Sequence, residues 1–131
     1  MIYLTAEQIL FLHARLISET GGSHGVHDIG LLLAAVARPQ ATFEKQDLYP
    51  NLFSKAAALM ESLVKNHPFV DGNKRTGIGA AAMFLALNGF HIAATNEQIV
   101  TLTIEVAKGN LSLAEIIKWL EAHSTPGPAE A

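Results

Sequence analysis

The sequence predicts an all-α fold, a compact helical domain with a buried central helix and one small flap or hairpin. Three observations point there. Apolar residues recur at helical spacing through most of the chain. Helix start and stop signals bracket those stretches. The most apolar segment, TGIGAAAMFLALNG, is poor in β-branched residues and so reads as helix rather than strand.

The elements follow in order. Thr5 is a natural N-cap, and Gln8 three residues later completes a capping box. That helix runs to about Glu19 with Ile9, Leu12 and Leu16 on its inner face, and Gly21-Gly22 stops it. A Gly-rich loop, GGSHGVHD, leads to a short apolar helix, IGLLLAAVA, which Pro39 ends by disfavouring helix at Arg38. Residues 40–50, QATFEKQDLYP, lack helical periodicity and read as an extended loop or hairpin flap. A helix from about Asn51 to Asn66 places Leu52, Ala56, Leu59, Leu63 and Val64 close to one stripe. The next segment is apolar almost all round, as expected for a helix buried on every side, and Asn88-Gly89 ends it. Helices over roughly Asn96 to Lys108 and Ser112 to Ala122, the latter anchored by Trp119, close a single domain spanning 1–124. Residues 125–131 are expected to be a disordered tail.

Composition narrows the function. Half of the 131 residues are apolar and 16% are charged, which excludes a disordered chain. The net charge of −3 gives no general electrostatic case for nucleic acid. The absence of cysteine removes disulfides and thiolate metal sites and suits a reducing, cytoplasmic setting. The N-terminus lacks the pattern of a signal peptide. The run from Ile78 to Leu87 is about half of the roughly 20 residues a bilayer span needs, so no membrane association is expected.

The stretch NHPFVDGNKRTG, residues 66–77, carries the chemistry. It joins two helices. Pro68 stiffens the loop, Phe69 and Val70 are expected to turn into the core, Asp71-Gly72 supports a bend, and Asn73 suits an N-cap. Lys74 and Arg75 then fall at a helix start, where positive charge is disfavoured because the free N–H groups already supply it. An anion bound there explains the violation. Several donors of different reach suit a triphosphate, so Gly72, Asn73, Lys74 and Arg75 are the candidate ATP ligands. Asp71 is a suitable oxygen ligand for Mg²⁺, and His67 supplies an imidazole, the side chain best suited to take a proton from an attacking hydroxyl. Base, metal carboxylate and anion cradle together make a phosphoryl- or nucleotidyl-transfer site, with His67, Asp71, Lys74 and Arg75 as its catalytic groups. Taken singly, Asp-Gly is an ordinary turn and Lys-Arg a solvated pair; only the combination is specific. Gly77 and Gly79 match part of a dinucleotide fingerprint but follow no strand, and read as close helix packing. His24, His27 and Asp28 offer an unspecific metal spacing, with loop ordering the better reading of Asp28. His13 and His91 read as structural.

HPFVDGNKR resembles the signature of the Fic/Doc superfamily, and Lys74 resembles the Doc (death-on-curing) toxin branch rather than the Fic adenylyltransferases, which have Gly there. The likeness extends to LTAEQILFLHARLI, to Gly21, Gly22, Gly25 and Asp28, to ARPQATF and to DLYPNLFSKAAAL. The resemblance implies a Fic-fold toxin of a toxin–antitoxin pair that transfers the terminal phosphate of ATP to a threonine of elongation factor Tu and halts translation. It also implies that His67 activates the target hydroxyl, Asp71 holds Mg²⁺, residues 72–75 form the anion hole, Phe69 anchors the loop, and the segment from Ala41 to Lys45 is a flap that aligns the target. Ile78 stands where Fic adenylyltransferases have a second Arg, which counts against AMP transfer. No Glu is followed by Gly or Asn, so the inhibitory helix of many Fic enzymes has no counterpart, and restraint is expected from a Phd-type antitoxin. Adenylyl transfer, or a catalytically silent nucleotide-binding module, are the alternatives.

Overall fold

The computed structural model describes residues 1–128. Its elements, in order, are α1 (Ala6–Thr20), α2 (Ile29–Ala37), a 3₁₀ turn (Arg38–Gln40), β1 (Thr42–Phe43), β2 (Gln46–Asp47), α3 (Leu52–Asn66), α4 (Asn73–Leu87), β3 (Phe90–Ile92), α5 (Asn96–Ala107), α6 (Leu113–Ala122) and β4 (Ser124–Pro126). The all-α expectation holds, with two-stranded sheets as the minor component.

Local chemistry sets the helix ends. Thr5, Asn51, Thr95 and Ser112 each cap a helix in a reciprocal capping box, which fixes where α1, α3, α5 and α6 begin. Asp28 caps α2 by accepting from Leu31 N at 3.1 Å, so its side chain orders that helix start as expected. Pro39 ends α2, and the chain tightens into the 3₁₀ turn before the hairpin. The flap is a true hairpin: Thr42 pairs with Asp47 and Phe43 with Gln46. Glu44 and Lys45, at its tip, both take positive φ, as a two-residue hairpin turn requires.

The core lies where α3 and α4 pack along each other, with α6, α2, α5 and α1 around them. α3 is the more enclosed of the pair: seven consecutive residues, Ser54 to Met60, are buried. Gly77 makes the close approach possible, because a Cβ there would stand 2.4 Å from Val64 Cγ2 and 3.3 Å from the Met60 carbonyl. Each fully buried Leu or Phe of this core contributes on the order of 1.5–3 kcal/mol of burial.

Two expectations are corrected. α4 is buried on one face, through Asn73, Thr76, Gly77, Ala80, Ala81, Phe84 and Leu85, but not all round. Its opposite stripe faces an apolar groove of about 590 Å³ shared with α1 and α5, lined by Leu16, Ile78, Ala82, Ile99 and Val100 and also by Lys74 and Arg75. The end of the domain also differs. Ser124–Pro126 pairs antiparallel with Phe90–Ile92, so Thr125 and Pro126 belong to a sheet rather than a tail. Residues 129–131 of that expected tail lie outside the described residues. Among the described residues, no helix is long and apolar enough to cross a membrane.

Candidate active site

The motif occupies the turn between α3 and α4. His67 ends α3 in the left-handed region (φ 52), and its imidazole is exposed. Pro68 and Phe69 are buried, which pins the loop as expected. Val70 does not join them: it is 57% exposed and lines the pocket rim.

Gly72, not Asn73, is the N-cap of α4, with φ 77 and ψ 19. Asn73 is the first helical residue and is turned back: its Oδ1 accepts from Phe69 N at 3.0 Å and its Nδ2 donates to Phe69 O at 3.0 Å. That exchange satisfies the buried loop backbone from one amide side chain and commits Oδ1 and one Nδ2 N–H of Asn73 to the loop. The imidazole Nδ1 of His67 lies 3.4 Å from Asn73 Nδ2, a distance that orients the ring without binding it tightly. No side chain caps α4, and its first intrahelical bond is Thr76 N to Gly72 O. The amides of Asn73, Lys74 and Arg75 therefore precede the helical ladder and face the mouth of the helix.

Asp71 is held from two sides. Ser23 N donates to Oδ2 at 3.0 Å and Gly72 N donates to Oδ1 at 2.8 Å. These two backbone bonds, with the nearby Arg75 guanidinium and His13 adding to them, hold its carboxyl below the usual carboxylate range. Each oxygen accepts a single backbone bond and so keeps acceptor capacity, and Asp71 lines the pocket. Mg²⁺ is commonly held by one or two carboxylates plus substrate phosphates, so the donor set fits that ion. Lys74 is exposed; Arg75 is half-buried, donating to Gly21 O at 3.1 Å and to the Thr20 hydroxyl at the end of α1.

These groups meet in one pocket. His67, Val70, Asp71, Gly72, Asn73, Lys74 and Arg75 line a cavity of about 250 Å³ at the N-terminus of α4. All six candidate residues lie on it. Among the described residues, no cluster of three or more His, Asp or Glu forms, so His24 and His27 gain no partner set for a metal.

Several contributors escaped the sequence reading. The Gly-rich loop zips onto the motif: His27 N and Asp28 N both donate to Pro68 O, and Val70 N donates to Gly25 O. Gly22 packs so closely that a Cβ would meet Asp71 Oδ2 at 2.6 Å. His13 is buried and bonds the Asp71 carbonyl through Nε2 at 2.8 Å. A faint signal existed for His13, since it falls on the Ile9–His13–Ile17 stripe, where a polar group needs a partner.

Beside the site, a cleft of about 500 Å³ runs along Ala34, Ala37, Arg38, Ala41, Ser62 and Asn66, from the root of the hairpin to the residue before His67. The hairpin root is fixed from below. Arg38 bonds Tyr49 Oη, Ala58 O, Glu61 and Ser62, while the buried Lys55 ammonium donates to Pro39 O at 2.9 Å and lies 3.5 Å from Asp47.

With that geometry in hand, comparison with known proteins is specific. The model of the Fic/DOC family matches residues 3–85. A curated relative from Mycolicibacterium smegmatis, "Toxin Doc", is 60% identical over 74 residues, 56% of this chain and 57% of that protein. "Protein kinase doc" of Escherichia phage P1 is 31% identical over 120 residues, 92% of this chain and 94% of that protein. The chain thus spans little more than half the length of the first relative and nearly all of the second.

Proposed function

The chain belongs to the Fic/DOC family, and from that premise we propose that it acts as a Doc-type toxin, transferring the terminal phosphate of ATP to a threonine hydroxyl of a protein target, elongation factor Tu, in the cytoplasm. The observation that carries this reading is the convergence of an exposed imidazole, one oriented carboxylate and two cations on a single helix mouth with free amides.

In the reaction, the target hydroxyl oxygen attacks the γ-phosphorus and the bond to the β,γ-bridging oxygen breaks, releasing ADP. The His67 imidazole takes the hydroxyl proton. Main-chain amides of residues 73–75, Lys74 and Arg75 hold the phosphate oxygens and offset the charge that builds on them. Asp71 would hold a Mg²⁺ ion, which when bound would add further charge stabilisation. General-base catalysis of this kind contributes about 10²–10⁴-fold. The hairpin Thr42–Asp47 offers unpaired strand edge to an extended target segment. The cleft between the hairpin root and Asn66 is where a segment of a small Phd-type antitoxin would fold and exclude the target.

Two labelled substrates test the reading. Purified elongation factor Tu should acquire label from γ-³²P-ATP and none from α-³²P-ATP, and His67→Ala should abolish the transfer. Label arriving only from the α position would replace phosphoryl with adenylyl transfer. Growth arrest on expression without an antitoxin, absent for His67→Ala, tests the toxin role; equal growth of both strains would sink it.

A further inference from the structure

We propose that His13 is a positioning residue for this reaction: from α1 it clamps the Asp71–Gly72 peptide and so fixes both the metal-binding carboxylate and the left-handed turn that opens α4. The assignment deepens the phosphoryl-transfer reading and rests on it for its catalytic consequence.

The geometry is direct. The imidazole is 4% exposed and lies flat on Phe69, with ring centroids 3.8 Å apart and planes 7° apart. Its Nε2 is 2.8 Å from the Asp71 carbonyl oxygen. A carbonyl only accepts, so Nε2 carries a proton in that contact. Within a trans peptide the C=O and N–H point in opposite directions. Anchoring the Asp71 oxygen on α1 therefore aims the Gly72 N–H away from α1, where it donates to Asp71 Oδ1 at 2.8 Å. Ser23 N holds the other carboxylate oxygen. One buried ring thus sets the peptide plane, and the plane sets the side chain.

Packing alone does not call for histidine here. A leucine would fill the place against Phe69, but it would leave the Asp71 carbonyl without a donor. The turn has little slack around this contact. A Cβ on Gly72 would stand 3.7 Å from His13 Nε2 and 2.9 Å from Ile17 Cδ1, so α1 sits directly under the bend. The residue acts across 58 positions of sequence and does not line the pocket at the mouth of α4, which separates it from the groups that do.

His13→Gln and His13→Leu test the assignment, since glutamine places an amide N–H near the position of Nε2 and leucine has none. Two measurements are made on each purified full-length variant: amide exchange of Gly72 and Ser23, referenced to Leu85 in the core, and kcat and KM for ATP in the γ-label assay. His13→Leu should speed exchange at Gly72 and Ser23 but not at Leu85, and lower kcat by about 10–100-fold, the usual effect of losing a group that orients a metal ligand, with KM for ATP little changed. His13→Gln should recover most of both. Wild-type exchange and kcat in His13→Leu, or equal damage in His13→Gln, would overturn the proposal. If His13→Leu does not fold, His13→Asn takes its place: its shorter amide should fail where glutamine succeeds, and equal behaviour of the two would refute the clamp. The exchange arm needs no activity, so a wild-type protein without phosphoryl transfer would remove the functional reading while leaving the clamp decided on its own.

Discussion

Gly22→Ala tests how the Gly-rich loop supports the pocket. Gly22 has φ +114, a conformation L-residues rarely adopt, and an added Cβ would meet Asp71 Oδ2 at 2.6 Å, Ile17 Cδ1 at 3.1 Å and Arg75 Nη2 at 3.2 Å. The backbone strain costs about 1–3 kcal/mol. For a domain of this size that corresponds to a fall in Tm of roughly 4–12 °C. The steric effect is separate, because the nearest atom is the oxygen that Ser23 N holds. Relief requires the carboxylate to swing away, and activity should fall by about 10–100-fold with a raised magnesium requirement. Gly109→Ala is the matched control: φ is +75 there and nothing lies within 4 Å, so it should lose about 1–2 kcal/mol of stability and keep full transfer. Thermal unfolding and the γ-label assay at varied Mg²⁺ provide the comparison. Equal transfer and equal Mg²⁺ dependence in the two variants would refute the argument that Gly22 exists to let Asp71 through.

Three further outcomes are expected from the local geometry. His67 takes a left-handed φ of 52 at the end of α3, so His67→Gly should raise stability by up to about 1 kcal/mol in thermal unfolding while abolishing transfer, as expected where function imposes local strain. Gly77→Ala should destabilise by about 1–3 kcal/mol despite the better helix propensity of alanine, and Val64→Ala in the same chain should return part of the loss, a coupling measurable by a double-mutant cycle. The Asp71 carboxyl is depressed by the Ser23 and Gly72 amides, so its contribution is complete above the ordinary carboxylate pKa and disappears as pH falls through its lower folded value; Tm measured from neutral pH down to strong acid should therefore decline less in Asp71→Asn than in wild type.

Much of the fold was legible because its instructions are local. Thr5 with Gln8, Pro39, and Asn51 ahead of an apolar stripe each act within a turn of the chain, and the helices begin and end beside them. The motif residues were legible for a related reason: basic side chains at a helix start break a local rule, and the pocket lies where the break occurs. What escaped depends on partners far apart in sequence. β3 and β4 are each three residues long and find each other across more than thirty positions, which no periodicity reveals. Val70 and the open face of α4 were assigned to the core because hydrophobicity alone cannot tell a core from a groove. Asn73 looked like a cap by residue type, yet the left-handed turn at Gly72 carried that position one residue earlier and released the amide side chain to close the loop beneath it.

The placement of α3 has a consequence for how the hairpin and the imidazole are spaced. Near its start Lys55 grips the hairpin root, and its last residue is followed at once by His67. Those points are twelve residues apart, about 18 Å along a helix axis. A single stiff rod therefore carries both the hairpin root and the exposed imidazole, the two features that the proposed target docking and proton transfer would use. The spacing between the hairpin root and the imidazole is therefore a fixed gauge, set by the length of α3 itself.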